Sequence, residues 1–290
     1  MVIFIITGIV AISRINMANL QLHFNGNFPL KREEVARILQ AASEEKGLND
    51  SLENLMARTS LGNAKVGRIK SWAIRAGLVQ NNYPSPEGSI VWKLDRYFES
   101  NITSWLMHFY LSFGDKGLQQ PAENPADWGG WSYFIFSFLL DYKIFTYDDL
   151  LARTTSIFKE EKKIIYARIK FILRAYTEED ALSSCRFIIK EEDKFITGNA
   201  ALPNPYLIAY FLAKLWERDF GNATSVLTSD ILDQKMGLAP VLGVEKEALQ
   251  EHLNQLETLA LIEQRRTVSP SQVIRRWDNP IMLLEKAYGY

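Results

Sequence analysis

Apolar residues recur at helical spacing along most of the chain. In the segment after Pro29 (LKREEVARILQAASEEKG), Val35, Ile38, Leu39 and Ala42 share one helical face, which predicts a helix stopped by Gly47. Asp50 or Ser51 is positioned to cap a second, short helix (LENLMAR). Gly62 or Asn63 starts a third (NAKVGRIKSWAIRAG), which Gly77 ends. The period then changes. Leu78 and Val79, a turn-rich stretch (NNYPSPEG), and Ile90, Val91, Trp92 and Leu94 read as the two strands of a hairpin. Three helices followed by a hairpin is the order of a winged helix.

The same order recurs about 100 residues later. Thr146 caps YDDLLART, and a helix (KEEKKIIYARIKFILRAY) follows. Residues 186–190 and 194–197 then predict two short strands around Glu191, Glu192 and Asp193. The third-helix segments resemble each other, RIKSWAIRA at 68–76 and RIKFILRA at 168–175, with one residue of offset. A third instance is spelled by helices at 206–219 and 245–260, by strands at 264–269 and 272–277 around Pro270, and by a terminal helix (NPIMLLEKAY). Between the first two, residues 101–140 predict two aromatic-rich helices joined by a Pro- and Gly-containing loop whose Trp residues suit a core.

Two apolar runs bear on the membrane question. Residues 1–12 (MVIFIITGIVAI) fall short of the ~20 needed to span a bilayer. They lack the basic start of an export signal, and Arg14 lies on the wrong side of the run. A second Met, Met17, precedes an ordinary start (ANLQLHF), so residues 1–16 read as upstream sequence from a misplaced start codon; the alternatives are an apolar strand or a membrane tether. The run at 131–140 (WSYFIFSFLL) ends at Asp141 and reads as a buried helix. The single Cys185 excludes a disulfide framework and Cys-cluster metal sites, and without an export signal the cytoplasm is the default compartment.

Charge changes the picture. The net charge of −1 gives no global sign of nucleic-acid binding, but it is unevenly distributed. Residues 54–86 hold Arg58, Lys65, Arg68, Lys70 and Arg75 and no acid; residues 264–277 hold Arg265, Arg266, Arg275 and Arg276 and no acid. Nine positive charges on two stretches leave −10 on the rest. Concentrated charge of this kind suits phosphate contacts, and scattered solvated helix faces are the alternative. At about 100° per residue, Val66, Ile69, Ala73 and Ala76 share a core face. The opposite face carries Ala64, Gly67, Arg68, Ser71 and Arg75, flanked by Lys65 and Lys70. Small residues beside Arg let a backbone come close to a nucleic acid while guanidinium groups reach phosphates or base edges. A protein-contact role for this helix stays open. In the second copy, Lys162, Lys163, Arg168, Lys170 and Arg174 lie among acids, which suits a scaffold or a partner surface.

Catalytic chemistry is weakly signalled. The chain has no P-loop, GxGxxG or GxSxG. His23, His108 and His252 are far apart and read as structural, and Cys185 (SSCRFII) reads as a buried strand thiol. The pair Asp148–Asp149, the pair Glu160–Glu161 and the triplet 191–193 form no evident metal-binding set, so no catalytic residue is assigned.

The run TSLGNAKVGRIKSWAIRAGLV, with Thr59, Gly62, Val66, Ile69, Lys70, Trp72 and Gly77, resembles a bacterial family of DNA phosphorothioation and related phage-defence loci, that of the SspB components. The likeness continues through FNGNFPLKREEVARIL, ITSWLMHFYLS, IYARIKFILRAY, PNPYLIAYFLAKLWE and RRTVSPSQVIRRWDNPIMLLEKAY, and so spans residues 22–288 without residues 1–16. The resemblance implies DNA binding and strand nicking that opens the backbone for sulfur insertion. Its implied partners are a cysteine desulfurase, an ATPase and an ATP-pyrophosphatase-like enzyme, and a nickase of this kind would use a divalent metal.

Together these observations predict a mainly α chain with small β-hairpins (α+β). A winged-helix-like DNA-binding unit would occupy residues 17–100, and a helical region with one or two further such units residues 101–290. The expected partner is double-stranded DNA, with no membrane. Lys65, Arg68, Lys70, Ser71, Arg75, Arg265, Arg266, Arg275 and Arg276 are the expected DNA contacts. The alternatives to a nicking component are a non-catalytic DNA-binding adaptor and a transcriptional regulator of the locus.

Overall fold

Local capping sets where the chain turns helical. The computed structural model of the chain describes residues 17–267 and 269–289, so the expectation for residues 1–16 lies outside the described residues. Helix α1 spans Arg32–Ser43 and buries Val35, Ile38, Leu39 and Ala42, as its apolar spacing predicts. Ser51 caps α2 (Leu52–Thr59) by accepting the Asn54 backbone N–H at 3.2 Å. Gly62 is the N-cap of α3 (Asn63–Arg75), and Gly77, at φ 74°, supplies the left-handed turn that follows it.

The first hairpin is far shorter than the sequence suggests. Strands β1 (Val79–Gln80) and β2 (Tyr83–Pro84) pair antiparallel, Val79 opposite Pro84 and Gln80 opposite Tyr83. Asn81 and Asn82 hold φ of 50° and 68°, the positive pair that a two-residue hairpin turn requires. Ile90, Val91, Trp92 and Leu94, expected to be the second strand, instead lie in helix α4 (Pro86–Leu94). Ser85 caps it by accepting the Gly88 N–H at 2.8 Å, and Pro86 brings a pre-set φ to the first turn. Gly88 lets α4 lie on the preceding chain: a Cβ there would stand 1.9 Å from the Leu78 carbonyl oxygen.

Helix α5 (Asn101–Ser112) is buried nearly all round. The apolar run near 131–140 forms one buried helical segment, α6 (Gly130–Tyr133), a π-helical turn at Phe134–Phe138 and α7 (Leu139–Asp141). Trp128 and Trp131 are buried in the core, as expected. Among the described residues no helix is long and apolar enough to cross a membrane.

Two later units share one plan. The first has strand β3 (Ile144–Thr146), helices α8 (Tyr147–Ile157) and α9 (Lys162–Thr177), and the hairpin β4 (Ile189–Glu191) and β5 (Lys194–Ile196). Its sheet order is β3-β5-β4, all antiparallel. Thr146 and Asp149 form a reciprocal capping box at the start of α8. Cys185 lies in a 3-10 turn rather than the expected strand, because Arg186 takes a left-handed φ of 48° and delays pairing until Ile189. Helix α10 (Pro205–Phe220) leads to the second unit: β6 (Ser225–Leu227), α11 (Thr228–Leu232), α12 (Leu238–Leu242), α13 (Lys246–Thr258), β7 (Ile262–Arg265) and β8 (Gln272–Arg275). Its sheet order, β6-β8-β7, repeats that of the first. Helix α14 (Pro280–Tyr288) ends the described chain against α10 and α4.

The architecture is therefore mainly helical with small antiparallel sheets. Buried apolar residues form a continuous cluster from Leu20 to Ala287, and it includes Trp72, Trp105, Tyr176 and Trp216. That cluster runs across position 100, so α3 is held by the same core as the rest of the chain.

Candidate nucleic-acid interface

Helix α3 divides along its length as its pattern predicts. Val66, Ile69, Trp72, Ala73 and Ala76 are buried. Ala64, Gly67 and Arg68 are exposed, and Lys65, Lys70, Ser71 and Arg75 are half-buried. Ser71 Oγ donates to the Gly67 carbonyl of its own helix at 3.0 Å. The helix itself carries no acidic residue.

The five cations of residues 54–86 nevertheless do different work. Arg58 is inward-turned: it pairs with Glu44 at 2.7 Å and Asp50 at 3.3 Å and donates to the Gly47 carbonyl at 2.9 Å. Lys65 pairs with Glu34 at 2.5 Å. Arg75 lies over the Phe24 ring, its guanidinium carbon 3.8 Å from the centroid. Arg68 reaches the carbonyls of His23 and Phe24 at 3.2 and 3.4 Å. Lys70 is half-buried on the same helix, and Arg68 is the exposed cation of the outer face, with Ser71 and Arg75 half-buried beside it.

Sequence reasoning missed two neighbours of this surface. Phe24 sits between Arg75 and Trp72, edge-on to the latter at 4.8 Å. Arg168, assigned to the scaffold, comes from α9 to the same loop and donates to Asn25 Oδ1 at 3.0 Å and to the Gly26 carbonyl. Burial and the nearby Arg68 charge hold its pKa below the usual guanidinium value. The likeness of the two RIK segments was the signal that could have found it, since Arg68 and Arg168 open them.

The second arginine stretch is not acid-free once folded. Glu263 lies one residue before it, pairs with Arg265 at 3.0 Å and accepts a hydrogen bond from Arg276. Arg265 and Arg276 hold the Glu263 carboxyl below its ordinary range. Arg266 pairs with Glu257 at 3.3 Å. Arg275 is half-buried on β8, opposite Ile262. Of the four cations that the sequence suggests are bare, Arg265, Arg266 and Arg276 are thus ion-paired.

Of the residues expected to be structural, His108 and Cys185 are buried, whereas His23 is exposed and His252 lies half-buried on α13. His108 is fully buried between the Tyr176 hydroxyl, 2.7 Å away, and the Val241 carbonyl, 2.8 Å away, and burial lowers its pKa to about 4. Cys185 is buried, which pushes its thiol pKa up. Among the described residues no group of three or more His, Cys, Asp or Glu is arranged to hold a metal ion. No ligand set is assigned from these side chains, and no cleavage step is derived through a metal ion.

No family model and no curated protein matches the chain. Two solved structures do. The SspB crystal structure matches with a TM-score of 0.70 at 13% identity, over 93% of this chain and 87% of that one. The magnesium ion-bound SspB crystal structure matches with a TM-score of 0.69 at 14% identity and the same coverage. Over nearly its whole length, the chain shares the fold of SspB.

Proposed function

We propose that this chain binds double-stranded DNA through α3, as a component of a DNA phosphorothioation or related phage-defence module. The observation that carries the reading is the division of α3 itself. Its inner face is locked into the core, while its outer face offers Gly67, Arg68, Ser71 and Arg75 with no acid on the helix. A helix held rigidly with small and basic residues outward suits approach to a groove flanked by phosphates. The two strand–helix–hairpin units with a shared strand order support a winged-helix-like reading of residues 144–196 and 225–275. The resemblance to the SspB family supplies the cellular setting. The partners that the resemblance implies, and that the proposal adopts, are a cysteine desulfurase, an ATPase and an ATP-pyrophosphatase-like enzyme.

DNA binding is the part of the proposal that named side chains support, through the outer face of α3; nicking is the outcome that a plasmid assay decides. A gel shift and a plasmid-nicking assay on wild type beside Arg68→Ala/Arg75→Ala test it. The expected result is duplex binding with a steep salt dependence, weakened in the double variant by about one unit of slope per lost phosphate contact. Unchanged affinity in the double variant would remove α3 from the interface. Magnesium-dependent conversion of supercoiled plasmid to open circles, abolished by a chelator, would identify a nickase.

A further inference from the structure

The turn at residues 23–26 gathers cations from two helices that are distant in sequence. Arg68 of α3 donates through Nη1 to the His23 and Phe24 carbonyls, and Arg168 of α9 through Nη1 to Asn25 Oδ1 and the Gly26 carbonyl. Four consecutive residues thus hold two guanidinium groups. The interactions that displace the Arg168 pKa are burial and the Arg68 charge, with no carboxylate among them. Neutral amide oxygens offset like-charge repulsion only in part. A guanidinium has five N–H donors, and these bonds leave Nε and Nη2 of both arginines for a further acceptor.

Two features of the turn favour an acceptor arriving from outside. Asn25 is fully buried, and its Nδ2 has no acceptor among the described residues. Gly26, at φ 58°, lets Arg68 lie across the chain, since a Cβ there would stand 3.1 Å from Arg68 Nε. Arg68 is exposed and Arg168 half-buried, so solvent reaches the pair.

We infer that Arg68 and Arg168 form a single seat for a phosphodiester group, with the 23–26 turn as its floor. A phosphodiester presents two non-bridging oxygens that share one negative charge, and each guanidinium can donate to one of them. This rests on the DNA-binding reading and extends it, because α9 then joins α3 in the interface instead of serving only as scaffold.

The test uses the full chain. Duplex DNA affinity is measured across a salt series for wild type, Arg168→Gln and Arg168→Lys. Loss of one phosphate contact in Arg168→Gln lowers the slope of log K against log salt by about one unit, and Arg168→Lys keeps the charge and most of the slope. A buttress for the turn and nothing more would lower the melting temperature and leave the slope alone, which overturns the seat. Inorganic phosphate is a second probe, read by the guanidinium NMR signals of isotopically labelled protein. Saturable shifts of Arg68 and Arg168 together support the seat, and their absence overturns it. If wild type fails to bind duplex while phosphate still shifts both signals, the DNA reading falls and the seat stands.

Discussion

The guanidinium of Arg75 lies over Phe24, its carbon 3.8 Å from the ring centroid, and so joins the outer face of α3 to the chain that precedes α1. Phe24 is itself fixed edge-on to the buried Trp72. We expect Phe24→Leu to lose about 0.5–1 kcal/mol of cation–π attraction and to leave Arg75 less oriented. Urea denaturation reads the first effect. Duplex affinity reads the second and should fall with little change in salt slope, because the charge is retained. Full affinity in Phe24→Leu would show that Arg75 needs no platform.

Arg58 and Arg68 are both acid-free in sequence and opposite in role. Arg58 closes the α1–α2 corner by binding Glu44, Asp50 and the Gly47 carbonyl. Its removal leaves the Gly47 carbonyl without that donor, while Asp50 keeps hydrogen bonds from the Ser51 backbone N–H and Asn54 Nδ2. Arg58→Ala should therefore cost about 1–2 kcal/mol of stability through the carbonyl left without its donor, with DNA affinity unchanged. Arg68→Ala should show the reverse, near-native stability and a shallower salt dependence. Denaturation and binding curves on the two variants separate the roles, and a shared defect would contradict the division.

Periodicity made the helices legible and left strand pairing hidden. The faces of α1 and α3 follow directly from Val35, Ile38, Leu39, Val66, Ile69 and Ala73, because a rigid 3.6-residue repeat converts spacing into direction. Ile90 and Val91 misled, since a short apolar run suits a strand or a buried helix equally, and Ser85 with Pro86 decides between them only through capping. Strands β3 and β6 went unread because three residues directly before a helix cap carry too little pattern. The charge map was legible in sequence but not its neutralisation. Glu263 stands outside the basic window, yet Arg265, two residues along the same strand, and Arg276, brought across by the β7–β8 pairing, both bind it. The meeting of Arg68 and Arg168 depends on how α3 and α9 converge, and no local rule reports that.

His108 gives the fold a pH-dependent stability. The Val241 carbonyl can only accept, so Nε2 carries the proton and Nδ1 accepts from the Tyr176 hydroxyl. Burial lowers the folded pKa from 6.5 to about 4, so the unfolded chain binds the proton first. The stabilisation is fully present above pH 6.5 and is lost as pH falls toward 4, about 3 kcal/mol in all. Urea midpoints across that range should fall more steeply for wild type than for His108→Gln. Parallel curves would mean that His108 is charged in the fold.

Glu263 decides whether the β7–β8 hairpin belongs to the DNA face. Hydrogen bonds from Arg265 and Arg276 hold its carboxyl below the ordinary range, so it stays ionised and both arginines stay engaged at neutral pH. Because the folded pKa is depressed, the ion pairs exist above the ordinary carboxylate range and are lost only as pH falls through the lowered value. Acidification from about pH 7 to about pH 5 should therefore leave the wild-type hairpin unchanged. Glu263→Gln removes the carboxylate at every pH and frees both guanidinium groups for phosphate. If the hairpin faces DNA, duplex affinity rises and the salt slope steepens by up to about two units, one for each freed arginine. If the hairpin faces solvent or protein, affinity and slope match wild type, and the interface contracts to α3 and the turn beneath it.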